Sequence, residues 1–179
     1  MQIVKLPNKI LREKSQKVSF PLSKEKIELI EYMIKHIDQS QEPGSEERAG
    51  VGISAVQLGH LDRMFYVNAP ASDGEQPWRE FLINPTIVKT SNESSALEGG
   101  EGCLSVDDHV PGQQGLVHRC HKVTVEGYSY FSKKNVRITK QGYQAIIIQH
   151  EQDHLNGKLF IDRIDKFNPW LVLDDEILI

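Results

Sequence analysis

With only two cysteines, Cys103 and Cys120, the chain has nothing from which to build a disulfide framework. In a reducing compartment at least one thiol is then available as a metal ligand. Positive charge is also in short supply: 21 Lys and Arg stand against 25 Asp and Glu, for a net charge of -4. The basic cluster "SKKNVR", Ser132–Arg137, is short and reads as a solvated hairpin turn, so direct nucleic-acid binding has no motif behind it. No apolar run approaches the roughly 18 residues of a membrane span. The opening stretch "MQIVKLPNKILREKSQKV" lacks the apolar core of a secretory signal, and the expectation is a cytoplasmic protein with no membrane partner. There is no internal repeat and no low-complexity segment. The 179 residues, 39% of them hydrophobic, suit a single domain with a proper core.

What is present concentrates in "IIIQHEQDHLNG", Ile146–Gly157. The apolar run 145–148 and the stop signal at Asn156 and Gly157 predict a helix from about Thr139 or Gly142 to Leu155. Four helical steps of about 100° put His150 and His154 roughly 40° apart, so both imidazoles can reach one ion. Glu151 lies beside that stripe, near any water such an ion would carry, as in H-E-x-x-H hydrolases. The competing reading makes the histidines helix-end residues favoured by the macrodipole, with Glu151 and Asp153 as solvated charges. A metal site needs a third ligand.

Ser23 predicts the cap of an earlier helix, "KEKIELIEYMIKHIDQS", with Ile27, Ile30, Ile34 and Ile37 as its core-facing stripe and His36 exposed. Polar loops are expected over 41–50 and 68–78. "RMFYVN", "REFLINPTIV", "HKVTVEGYSY" and "NVRITK" are rich in β-branched and aromatic residues and read as strands, several of them antiparallel neighbours. The fold expected is α+β, antiparallel sheets packed around a central, metal-bearing helix. Two more stretches stand out. "AGVGISAVQLG" sets Gln57 in an apolar run behind Gly50 and Gly52, and "EGGEGCLSV" surrounds Cys103 with glycines. Glycines allow close backbone approach to a ligand, and a thiolate there suits a borderline-soft metal. A plain turn and a small buried hydrophobe are the alternatives.

Taken in order, "GVGISAVQ" (50–57), "EGCLS" (101–105) and "QHEQDH" (149–154) closely resemble the three motifs of peptide deformylases. The family more often has Leu-Ala-Ala where this chain has Ile53, Ser54 and Ala55. The loop 40–50 and the "VPG" at 110–112 look like its longer, Gram-positive-type branch. The resemblance implies hydrolysis of the N-terminal formyl group of formyl-methionine on nascent polypeptides, with formate released and the ribosome as a possible neighbour. It implies Cys103, His150 and His154 as metal ligands with a fourth position for water. Ferrous iron is the ion implied in the cell, with zinc, nickel or cobalt able to occupy the site in preparations. Glu151 would be the acid/base; the Gln57 amide and the Leu104 N–H would be oxyanion donors. Val51, Gly52, Tyr143, Ile146 and Ile147 would contribute to a methionine pocket, with Glu101 and Arg119 paired near it. For Ile146 and Ile147 ordinary core packing is the alternative. Asp153 fits a structural salt bridge or a capping role, Cys120 a strand, and His60, His109, His118 and His121 surface or hydrogen-bonding positions. Two rivals stay open: a metalloprotease, which needs a downstream His or Glu ligand for which only Glu176 is available, and a noncatalytic zinc-stabilised module, which would have no use for Glu151.

Overall fold

The computed structural model describes residues 1–72, 74–107 and 109–179; Asp73, in the loop expected over 68–78, and Asp108 lie outside it. Two helices flank a five-stranded sheet. Strands β1 (Gly52–Ser54), β2 (Met64–Ala69) and β3 (Trp78–Thr90) are followed by β4 (Ser94–Ala96), β5 (Arg119–Cys120), β6 (Lys122–Ser129), β7 (Lys134–Gln141) and β8 (Ile177–Leu178). The large sheet runs β1-β2-β3-β6-β7, antiparallel throughout. A smaller sheet runs β5-β4-β8, and its β4–β8 pair is parallel. The four strands expected from β-branched and aromatic runs correspond to β2, β3, β6 and β7. The basic cluster straddles the end of the β6–β7 turn and the start of β7.

Helix α1 (Lys24–Ser40) is capped by Ser23, whose hydroxyl accepts from the Lys26 N–H. It buries Leu29, Ile30, Met33 and Ile37, while Ile27 and Ile34 lie at the margins of the buried face. His36 is a correction: its side chain is only 11% exposed and its Nδ1 sits 2.9 Å from a Glu47 carboxylate oxygen. It faces the loop that folds back from the end of α1. Gln41 ties that loop down, donating to the carbonyls of Gly50 and Asn68 at 2.8 and 2.9 Å.

Period-two alternation along the strands divides the core. Met64 and Tyr66 of β2, with Phe81 and Ile83 of β3, join Leu29, Ile30, Met33 and Ile37 on the α1 side. Phe65, Val67 and Leu82 face the other way, against Ala145, Ile147 and Ile148 of helix α2 (Gly142–His154). β2 is therefore a nearly unbroken apolar run, because both its faces are covered. α2 is buried on almost every side, which is why charged and polar residues near its C-terminus need specific partners. Gly157, at φ +70°, turns the chain away beyond it; a Cβ there would stand 2.4 Å from the Arg12 carbonyl oxygen.

Candidate metal centre and active site

Cys103, His150 and His154 offer ligand atoms that all lie within 4.8 Å of one another. Ligand bonds of about 2.0–2.3 Å can span that separation. Cys103 Sγ is 3.3 Å from His154 Nε2, and the two imidazole centroids are 5.0 Å apart. His150 Nδ1 is fixed 2.7 Å from Glu101 Oε2, leaving the other ring nitrogen for the cluster. Burial alone would depress the His150 pKa, but its hydrogen bonds to Cys103 and Glu101 and their charges raise it well above the ordinary value. His154 is depressed well below that value, by burial first and then by the charges of His150 and Arg119. One thiolate and two imidazoles form a donor set that fits a divalent transition metal.

Behind these groups runs a chain of ion pairs, buried at Glu101, Arg119 and Asp153 and reaching the surface at Arg163. Arg119 grips Glu101 through two contacts, at 2.5 and 2.9 Å, and reaches Asp153 at 2.9 Å; Arg163 also pairs with Asp153, at 2.5 Å. Burial pushes the Glu101 carboxyl up, yet Arg119 and His150 outweigh it and hold the pKa at about 2. Glu101 is therefore a fixed anion steering the His150 ring. The expected Glu101–Arg119 pair is present beside the cavity: Glu101 lines the wall, while the Arg119 side chain, 1% exposed and spent on the two carboxylates, lies behind it.

A cavity of about 200 Å³ opens in front of the cluster, walled by Val51, Gly52, Gln57, Glu101, Cys103, Leu104, Tyr143, Ile146, Ile147, His150 and Glu151. Arg48 and Leu97 line it too and were not anticipated. Arg48 comes from the polar loop and donates to the Cys103 carbonyl at 3.3 Å; no periodicity reveals such a residue. Gln57 sits in the 3-10 turn Ala55–Leu58, its Oε1 accepting from the Ser54 N–H at 2.9 Å and its Nε2 3.5 Å from Cys103 Sγ. Glu151 is buried, which raises its carboxyl to about 6 despite the His150 charge and a hydrogen bond from Ser54. A carboxylate poised there can take and return a proton near neutral pH. Gly52 makes room for it: a Cβ at that position would stand 2.5 Å from Glu151 Oε1. Glu176, the ligand a protease reading would need, is bound instead to His118 at 2.7 Å and Ser94 at 2.9 Å.

A family model described as polypeptide deformylase matches residues 1–170. The chain belongs to that family. A peptide deformylase from Mycoplasmopsis pulmonis is 48% identical over 184 residues, covering 95% of this chain and 93% of the relative. One from Pediococcus pentosaceus is 41% identical over 176 residues, covering 96% and 94%. Among solved structures, the peptide deformylase from Ehrlichia chaffeensis superposes with a TM-score of 0.76 at 30% identity, over 94% of this chain and 90% of that one. A class I type b peptide deformylase from Acinetobacter baumannii with Met-Ala-Ser bound gives 0.75 at 30% identity, over 92% and 98%. The enzyme is a hydrolase that removes the N-formyl group from nascent polypeptides.

Proposed function

We propose that the formyl amide is hydrolysed in the cavity before Glu151, with a divalent metal held by Cys103, His150 and His154. The observation that carries this reading is the convergence of Cys103, His150, the Glu151 carboxyl and the Gln57 amide on one small cavity, with His154 completing the cluster of three donors behind its wall. Bound there, a divalent ion supplies a Lewis acid for the formyl carbonyl and lowers the pKa of the attacking water. Glu151 accepts the proton that water loses as its oxygen bonds to the formyl carbon. The same carboxyl then delivers the proton to the amine nitrogen as the carbon–nitrogen bond breaks and formate leaves. Gln57 Nε2 and the Leu104 backbone N–H donate to the oxyanion, each worth about 3 to 4 kcal/mol at such a position.

Val51, Gly52, Tyr143, Ile146 and Ile147 accept the methionine side chain, and the Met-Ala-Ser bound to the Acinetobacter relative suits such a pocket. Glu101 acts from behind, through His150. The physiological ion is ferrous iron, with zinc, nickel or cobalt as replacements, and the place of action is the cytoplasm, beside the ribosome that makes the substrate. Anaerobic purification with metal analysis and a formate-release assay tests the metal assignment. Cys103→Ala should lose most of its bound metal, whereas Glu176→Ala should keep about one ion per chain. The opposite pattern refutes this ligand set.

A further inference from the structure

Ser54 closes β1 just before the turn that carries Gln57, and its side chain is fully buried. A hydroxyl in such a place needs a partner. Ser54 Oγ lies 2.7 Å from Glu151 Oε2 and 3.2 Å from the Glu151 carbonyl oxygen. The carboxylate is the closer and stronger acceptor, since a charged group shortens the bond. The backbone N–H of the same residue donates to Gln57 Oε1 at 2.9 Å. With its oxygen held there, the amide turns Nε2 toward the Ser105 hydroxyl at 3.3 Å and Cys103 Sγ at 3.5 Å.

On the other side of the carboxylate stands Gly52, whose missing side chain gives Oε1 its space. A glutamate's terminal torsion is broad and roughly two-fold, so this open side does little to fix the plane of the carboxylate. The hydroxyl on the opposite oxygen can do so.

We propose that Ser54 is a positioning residue for the reaction: its hydroxyl holds one oxygen of Glu151 and so presents the other to the cavity, while its N–H sets which end of Gln57 faces the substrate. The proposal rests on the roles assigned above to Glu151 and Gln57. Apolar packing gives no reason for the hydroxyl, because alanine would fill the same strand position without a buried polar atom.

The experiment is a double-mutant cycle on the metal-loaded enzyme with formyl-Met-Ala-Ser as substrate, recording metal content, KM and kcat for Ser54→Ala, Glu151→Ala and the double variant. Ser54→Ala should keep its metal and change KM less than about twofold, while kcat falls by about 10- to 100-fold, the span for loss of one hydrogen bond to a charged group. Ser54→Cys, close in size but a weak donor, should lie between. In the Glu151→Ala background, Ser54→Ala should alter the residual rate by less than about twofold, since the group it positions is gone. Parental kcat in folded Ser54→Ala overturns the proposal, as does an equal loss in both backgrounds, which marks a merely structural role. Should Ser54→Ala fail to fold, Ser54→Cys carries the same comparison, and parental kcat there overturns it. If Glu151→Ala itself keeps the parental kcat, the assignment of Glu151 falls, and this proposal with it.

Discussion

At Glu151, burial and the Ser54 hydroxyl pull in opposite directions: one favours the neutral acid, the other the carboxylate. The net value of about 6 lets the group accept and return a proton within one turnover. Glu151 is not a ligand in this account, so Glu151→Ala should retain about one metal per chain and lose at least about 10²-fold in kcat. Metal analysis beside steady-state kinetics checks this, and near-normal kcat in a metallated variant refutes it. Gly52→Ala attacks the same group sterically. Its Cβ would fall 2.5 Å from Glu151 Oε1, so the carboxylate must move. Folding and metal content should survive, since the neighbour is a side chain, while kcat drops by about 10²-fold; unchanged turnover would show that Glu151 acts from another position. The i,i+4 histidines and Glu151 were legible because helical geometry alone relates them. Ser54 was not, because its partner is 97 positions away in the chain. The available signal was a hydroxyl inside an apolar run, which announces a need for a partner without naming it. The burial of Arg119 was hidden for a similar reason: an arginine reads as exposed until two buried carboxylates are seen around it.

Among the elements, α2 does most of the positioning, and its polar C-terminal turn stays ordered inside the protein because each charge has an assigned partner. Gly157 lets the chain leave that turn. Alanine there meets both a left-handed backbone and the Arg12 carbonyl, so Gly157→Ala should lose about 1–3 kcal/mol of stability. A fall in the urea midpoint at constant m-value measures it; an unchanged midpoint contradicts the packing described. The boundaries of α2 were readable from an apolar run and a glycine stop. The face of α1 was read with its stripe displaced: four regularly spaced isoleucines drew attention from Leu29 and Met33, which the fold buries while Ile27 and Ile34 lie at the margin. Strands β4 and β8 escaped notice because two or three residues cannot show a period, and of β5 only Cys120 was read as a strand residue. That small sheet nevertheless matters to the site, since β5 carries Arg119.

For the molecule as a whole, a two-sided sheet holds α1 and α2 apart, and the loop 41–50, β1 and the Cys103 segment converge where α2 presents its histidines. Among the described residues, no helix is long and apolar enough to cross a membrane. The general architecture could be read from alternating strands and two helices; the convergence was legible only through the resemblance of the three motifs, because it depends on contacts between segments some 50 to 100 positions apart. The result is a cavity of only about 200 Å³, with Gly52, Gln57 and Leu104 in its wall, where the proposal seats the formyl carbonyl. A formyl group carries just hydrogen beyond its carbonyl carbon, whereas an acetyl group adds a methyl and an internal peptide adds a residue. Steric rejection of the larger groups follows. The most direct measurement compares formyl-Met-Ala-Ser with acetyl-Met-Ala-Ser in a formate- and acetate-release assay, with mass spectrometry of the products. The formylated peptide should release formate readily, with kcat/KM at least about 10²-fold above that of its acetylated counterpart, a gap of roughly 2.7 kcal/mol between transition states. Equal rates for the two peptides, or cleavage of an internal bond without formate, would contradict the account.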